Sequence, residues 1–241
     1  MSTDLREGEF ILDGRSLPYR LERRKGRRKL SLYMEAREGL LLRAPLRFPL
    51  REVDEILRQE SVWIRDKLRW RDDWLRRHPL RRFVSGETLP LLGQDWKLEI
   101  RRESDRRRAR VLAEGGRLRV ELPRSADARE VLERWLRRLA RRILLARLEH
   151  WAPIVGRRPK RITLRDMKSQ WGSCSSEGNL SFNWKLVMAP PATLDYVVVH
   201  ELCHFIHADH SKAFWREVAR HLPEYERPRR WLRDEGVALQ L

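Results

Sequence analysis

The chain has 241 residues, 41% of them apolar, enough to build a real core in one large domain or two smaller ones. Lys and Arg outnumber Asp and Glu by 53 to 35, a formal net charge of +18, and only eight of the cations are lysine. Two cysteines outside any CxxC pair exclude a disulfide framework and a cysteine zinc knuckle, and the absence of an apolar run near the ~18 residues of a bilayer span excludes a membrane helix.

The opening MSTDLREGEF is too polar for a signal peptide, so a soluble cytoplasmic protein is expected. Residues 17–45 alternate as strands (LPYRLERR, KLSLYMEA, GLLLRAP) around Gly26 and Gly39. A long helix over about 50–77 follows, with Leu50, Val53, Leu57, Ile64, Leu68 and Leu75 near one face. WKLEIRRE, RRRARVLAEG and RLRVELP then repeat the strand theme up to Pro123. A second helix is expected from about Ser125 to His150, with Leu132, Trp135, Leu136, Leu139 and Ile143 as its stripe. Two sheet-then-helix units result, a loose echo with a period near 78 residues. The division into domains is expected at 123/124: a β-rich N-terminal region with a long helix over 1–123, and a catalytic domain over 124–241.

Arg134, Arg137, Arg138, Arg141 and Arg142 crowd the second helix with like charges. A positive field attracts phosphate-rich partners, nucleic acid among them, although arginines interleaved with acids from Arg6 to Arg233 suit solvated faces equally well. Beyond Trp151, RITLRD and NLSFNWKL alternate as strands around QWGSCSSEGN and read as an antiparallel β-hairpin. Pro190 and Pro191 stop the second strand, and a helix begins near Thr193.

Four of the seven histidines lie in HELCHFIHADH, residues 200–210. On a helix, His204 lies one turn along from His200 and only about 40° round, so both imidazoles can share one ion. Glu201 is offset from both and flanks the ion, as suits a carboxylate that takes a proton from the attacking water. Leu194, Val198, Leu202 and Phe205 form the opposite, apolar face. His207 shares the histidine face, but seven residues of helix rise about 10.5 Å, too far for the same ion. A helix that ends around His207 to Asp209, with His207 itself as a terminating residue at positive φ, lets the chain fold back and deliver His210. His210 is therefore the favoured third ligand and His207 either a support behind the ligands or a substrate contact, with Asp209, Glu217 and Glu224 as substitutes. His221 reads as a helix-end histidine, Cys203 as a small buried residue. Three imidazoles suit one Zn2+ ion better than a hard cation such as magnesium.

The stretches WGSCSSEGNLSFNW (171–184), APPATLDYVVVHELCHFIHADHSKAFW (189–215) and RRWL (229–232) resemble the YgjP-like metal-dependent hydrolase family, related to the SprT and WLM zincins. The resemblance is dense over 160–235 and looser over the N-terminal strands. It implies an α+β zincin-like domain with a backing helix, an antiparallel hairpin and an active-site helix. It further implies zinc on His200, His204 and His210, with Glu201 as general base. His207 stands where metzincins place glycine, and no methionine follows His210, so a metzincin is not implied.

The substrate reads two ways, as peptide or as nucleotide. A YgjP-type member is associated with hydrolysis of UTP to UMP and pyrophosphate, while other relatives are proteases. For a peptide, the strand around Asn179 to Trp184 borders the cleft and offers an edge for main-chain pairing, with Asn183 a candidate contact. For a phosphate, Lys168, Lys185, Ser173 and Ser175 are the natural contacts. Tyr196 and Tyr225 are candidates to stabilise an oxyanion. A third reading is a nucleic-acid-associated binding module with a structural metal.

Overall fold

Alternating residues in the first part of the chain fold, in the computed structural model, into a four-stranded sheet; the structure describes residues 3–36, 38–77, 81–167 and 170–239. Strands β1 (Thr3–Leu12), β2 (Arg15–Arg24), β3 (Ser31–Glu35) and β4 (Gly39–Pro45) take the order β1-β2-β4-β3, with β2 and β4 parallel and the outer pairs antiparallel. Strand β1 escapes the sequence reading because charged residues crowd it: Asp4, Arg6, Glu7 and Glu9. Its ten-residue ladder with β2 is closed by Asp13-Gly14, both at positive φ (53° and 77°), the Asp-Gly pair that a tight hairpin favours.

The helix expected over 50–77 is broken. A 3-10 turn, Leu50–Glu52, leads into α1 (Val53–Gln59), and α2 (Ser61–Arg77) follows once Glu60, at ψ 11°, leaves the helical region. Val53, Leu57 and Ile64 pack with Phe10, Leu21, Leu40 and Leu42, while Leu50 stays exposed.

The same sheet is built a second time. Strands β5 (Thr88–Leu91), β6 (Gln94–Glu103), β7 (Arg110–Glu114) and β8 (Arg117–Pro123) take the order β5-β6-β8-β7, again with a parallel central pair and antiparallel outer pairs. Strands β6, β7 and β8 begin 78 or 79 residues after β2, β3 and β4, so the echo in the sequence is a duplication of topology.

The chain divides into two compact units, Met1–Leu80 and Arg81–Leu241. The division expected at 123/124 falls inside the second unit, where β8 meets α3 (Ala128–Val155). Leu118, Val120 and Leu122 belong to one buried cluster with Leu132 and Leu136 of α3, so the core is continuous across that point.

Helix α3 starts where the Asp127 side chain accepts from the Glu130 N–H, and it ends at Gly156, φ 72°. It therefore runs beyond the His150 end expected, accommodating Pro153 in its last turn. Leu132, Leu136, Ala140, Leu144 and Leu148 form its buried line, and Trp135, Leu139 and Ile143 pack half-buried on the flank. Arg147 donates twice to Asp195 (3.0 and 2.8 Å) and the Trp151 indole donates to the same carboxylate (2.8 Å), tying α3 to α4 (Pro191–Cys203).

Three further strands precede α4. Strands β9 (Arg161–Arg165), β10 (Gly172–Cys174) and β11 (Asn179–Asn183) lie in the order β10-β11-β9. The expected hairpin of RITLRD with NLSFNWKL is corrected here: β9 and β11 are parallel, and the antiparallel partner of β11 is β10, cut from what read as loop. Asn183 explains the path, since its buried amide donates to the Met167 carbonyl at 2.8 Å and the Gln170 carbonyl at 3.4 Å, pinning the crossover. The second strand also ends sooner than its alternation suggests, because Trp184–Met188 wind into a 3-10 helix capped by Asn183.

Helices α5 (Lys212–His221) and α6 (Glu226–Glu235) complete the unit. The fold is α+β, with a β-rich N-terminal region and six α-helices among the described residues. None of those helices is long and apolar enough to cross a membrane.

Candidate metal centre

Helix α4 is central and buried on nearly every side. Leu194, Val198 and Leu202 are buried as the apolar face requires, but so are Tyr196, Val197, Val199 and Cys203. A helix apolar all round belongs in a core, and the histidine edge is what remains for a cavity. The helix ends at Cys203, earlier than the His207–Asp209 stop expected, with His204 as its C-cap at φ −65°. No described histidine takes positive φ. Tight turns follow, in which the Ile206 and His207 N–H groups both donate to the Cys203 carbonyl. Asp209 then accepts from the Ser211 N–H (3.1 Å), and the Ser211 hydroxyl caps α5 by accepting from the Phe214 N–H. That turn and that cap carry His210 back to the end of α4.

Three ring nitrogens converge as a result. His204 Nε2 lies 3.3 Å and His210 Nε2 3.2 Å from His200 Nε2, and the three ligand atoms fall within 4.8 Å of one another. His207 contributes its backbone: its carbonyl lies 3.1 Å from His204 Nδ1, which fixes the Nδ1–H tautomer and turns the Nε2 lone pair inward. His200 Nδ1 is buried with no hydrogen-bond partner among the described residues. Burial, reinforced by the neighbouring rings, holds the His200 pKa down at about 3, and burial lowers that of His204, so both are neutral and carry lone pairs at physiological pH. Ring nitrogens that offer lone pairs toward one point form a donor set that could hold a metal ion.

Phe214 anchors the rings. It is fully buried, with ring centroids 4.6 Å from His204 and 4.9 Å from both His200 and His210. Burying a phenyl ring contributes on the order of 2–3 kcal/mol, which offsets the cost of ordering three polar side chains.

Glu201 is 4% exposed, and burial alone pushes its pKa up to about 8. Gly172 of β10 lies against it: a Cβ there would stand 2.4 Å from Glu201 Oε1. The cavity these groups share has a volume of about 620 Å³ and is also lined by Ser173, Cys174, Ser175, Tyr196 and Arg229. Tyr196 is a neutral hydroxyl, its pKa pushed up to about 12 mainly by burial.

The remaining candidates fall elsewhere. Asn183 is 1% exposed and bonded to the crossover backbone, and it does not line the cavity. Lys185 is buried with its ammonium 2.8 Å from Asp166. Lys168 lies outside the described residues. Asp209 caps its turn, and Glu217 pairs with His221 at 3.0 Å. The edge strand at the cavity is β10, not β11, which is central in its sheet. Sequence reasoning passed over Phe214, Trp215, Arg229 and Gly172. Only the Ser211 cap, which starts the helix carrying Phe214 and Trp215, left a local signal.

An α+β unit with three converging imidazoles beside a buried carboxylate defines a metal-binding protein of the hydrolase type. The chain belongs to the YgjP-like family: the family model described as "YgjP-like, metallopeptidase domain" matches residues 28–235. Membership makes it a metal-dependent hydrolase of the metallopeptidase kind. Among solved structures, the metallopeptidase zymogen of Pyrococcus abyssi abylysin matches at 23% identity over 38% of this chain and 95% of that one, with a TM-score of 0.34, too slight a likeness to build on. No curated protein matches the chain.

Proposed function

We propose that the protein is a zinc-dependent peptide hydrolase in which His200, His204 and His210 hold the ion and Glu201 is the general base. The observation that carries this reading is the convergence of three imidazole nitrogens beside a buried carboxylate in one cavity. Zinc fits the donor set, since neutral imidazole suits it and tetrahedral ligands at 2.0–2.1 Å stand about 3.3 Å apart, close to the separation of His200 Nε2 from each of the other two nitrogens. When bound, such an ion supplies Lewis acidity and brings the pKa of water toward about 7.

Side chains do the rest. Glu201 accepts a proton from the attacking water, whose oxygen bonds to the carbonyl carbon. As the C–N bond breaks, Glu201 returns that proton to the departing nitrogen. A cation beside Glu201 favours its ionised form and so readies it as a base. The β10 edge favours a peptide, because an extended segment can add to it by main-chain hydrogen bonds with Ser173 facing the cavity. These groups all fall within 124–241, which we take as the catalytic region.

A nucleotide substrate is the second reading, favoured by the hydroxyls of Ser173, Ser175 and Ser176 around the same cavity. Nucleic acid is the partner suited to the exposed cations of two equivalent turns. Lys25, Arg28 and Lys29 between β2 and β3, and Arg107 and Arg108 between β6 and β7, have no ion pair among the described residues.

The test is metal analysis of purified protein with turnover of an unstructured protein and of UTP by wild type and Glu201→Gln. We expect about one zinc per chain and protein cleavage that the variant loses while keeping its metal. Undiminished turnover by the variant would sink the reading, and pyrophosphate release without proteolysis would favour the nucleotide.

A further inference from the structure

Arg229, on α6, is the one cation, apart from the histidines, among the described residues that line the cavity. Its guanidinium carbon sits 4.1 Å from the centre of the Trp215 ring. Trp215 in turn lies 5.8 Å from the His200 ring and 5.7 Å from the His210 ring, centre to centre. Behind it the aromatic column continues: Trp215 stacks on Tyr225 (5.4 Å, 15°), and Tyr225 on Tyr196 (6.4 Å, 18°), which faces His200. Arg229, itself exposed, is thus stacked on an aromatic column that also packs against the His200 and His210 rings.

What the column leaves open decides the chemistry. Stacking uses the flat face of a guanidinium, whereas its five N–H donors point outward in the plane. No carboxylate or carbonyl of the described residues accepts from those donors; Arg220 and Arg233 on the same two helices pair with Glu217 and Asp234, whereas Arg216, Arg227 and Arg230 are open like Arg229. The Arg229 charge also acts on the cavity, offsetting part of the burial that raises the Tyr196 pKa. A stacked arginine that merely covered an aromatic surface would be worth about 0.5–1 kcal/mol at an exposed site and would need no place in a metal cavity.

We propose that Arg229 is the anion-binding residue of this cavity: stacked on Trp215, it receives an oxyanion of the substrate, carboxylate or phosphate, through its in-plane N–H groups. The proposal rests on the hydrolase reading for its place in turnover, since it puts the anionic end of the substrate beside the bond to be cut. Binding of the anion itself needs no metal. A planar fork recognises two oxygens of one carboxylate or phosphate together, so lysine replaces it only partly.

The test is a titration of metal-free protein with inorganic phosphate and, separately, with acetate, followed by NMR line widths of the anion. Wild type, R229K, R229A and R230A are compared; Arg230 is exposed and lies outside the cavity lining. We expect saturable binding to wild type and R230A, weakened severalfold in R229K and at least about tenfold in R229A. Preference for phosphate or for acetate tells which oxyanion is the natural one. In zinc-loaded protein, KM for a peptide with a free terminal carboxylate should rise in R229A, and KM for its amide should not. Equal binding by R229A and wild type, or equal loss in R229A and R230A, would overturn the proposal. Because the titration involves neither zinc nor turnover, it stands apart from the Glu201→Gln test, and each idea can fail without the other.

Discussion

The backbone of Gly172 and the carboxylate of Glu201 are packed so closely that no side chain fits between them: an added Cβ would lie 2.4 Å from Oε1 and 2.6 Å from Cγ. Strand β10 therefore acts as a wall that fixes where the carboxylate stands. Gly172→Ala should push Glu201 aside by a fraction of an ångström while leaving the three imidazoles alone. Displacements of that order cost up to about a hundredfold in rate. The expected outcome is unchanged zinc content with a steep fall in kcat, read by metal analysis alongside a peptidase assay.

The imidazoles should separate by substitution. His204→Ala and His210→Ala each remove one of the three converging nitrogens and, on the proposed reading, should abolish stoichiometric zinc binding. His207→Ala keeps the backbone carbonyl that orients His204 and should retain the metal. Equilibrium dialysis against zinc distinguishes these cases. Retention by His210→Ala with loss by His207→Ala would reassign the third ligand.

Glu201 makes the metal-free fold sensitive to pH. Its pKa of about 8 in the folded chain stands above the ordinary 4.5, so the folded state holds a proton that the unfolded state releases. This group's contribution to stability is full below about 4.5 and is lost as pH rises towards about 8. His200 works in the opposite sense, its depressed pKa removing stability as pH falls below about 6.5 towards about 3. Comparing wild type with Glu201→Gln isolates the first effect. The Tm difference between them, in the presence of a chelator, should shift in favour of the variant as pH rises through that window, and zinc should diminish it.

A stability effect is expected far from the histidines. Gly93, in the turn between β5 and β6 at φ 73°, lies under Pro190, where a Cβ would come within 2.8 Å of the proline Cα. Leu92 beside it donates to the Val187 carbonyl at 2.8 Å. That turn thus braces the chain just before α4. Gly93→Ala combines a strained φ with backbone overlap and should cost about 1–3 kcal/mol, measured by denaturant unfolding of the zinc-free protein.

Much of the site is local and therefore legible. His200 and His204 share a face because four residues make one helical turn, and that spacing holds wherever the helix packs. His210 is favoured because a helix ending before it lets the chain fold back; the turn at Asp209 and the cap at Ser211 are what bring it there, and the helix ends earlier than expected. The strand patterns of β2, β3, β4 and β6, β7, β8 were equally plain. Strands β1 and β10 were not, since β1 is charged and β10 is three residues of what reads as loop.

What local pattern could not carry is pairing and approach. Alternation along NLSFN says that it is a strand, yet not that β9 lies parallel to it and β10 antiparallel. The Asn183 side chain, bonded to the crossover at Met167, braces that order. In the same way, Gly172 meets Glu201 and Arg229 meets Trp215 across long stretches of chain. The sequence by itself determined the chemistry on offer, because donor type and helical period depend on residues a few positions apart. Only the tertiary structure decided which carboxylate is buried, which strand edge is open and which arginine faces the cavity, because burial and contact arise from packing between elements that the chain order leaves unpaired.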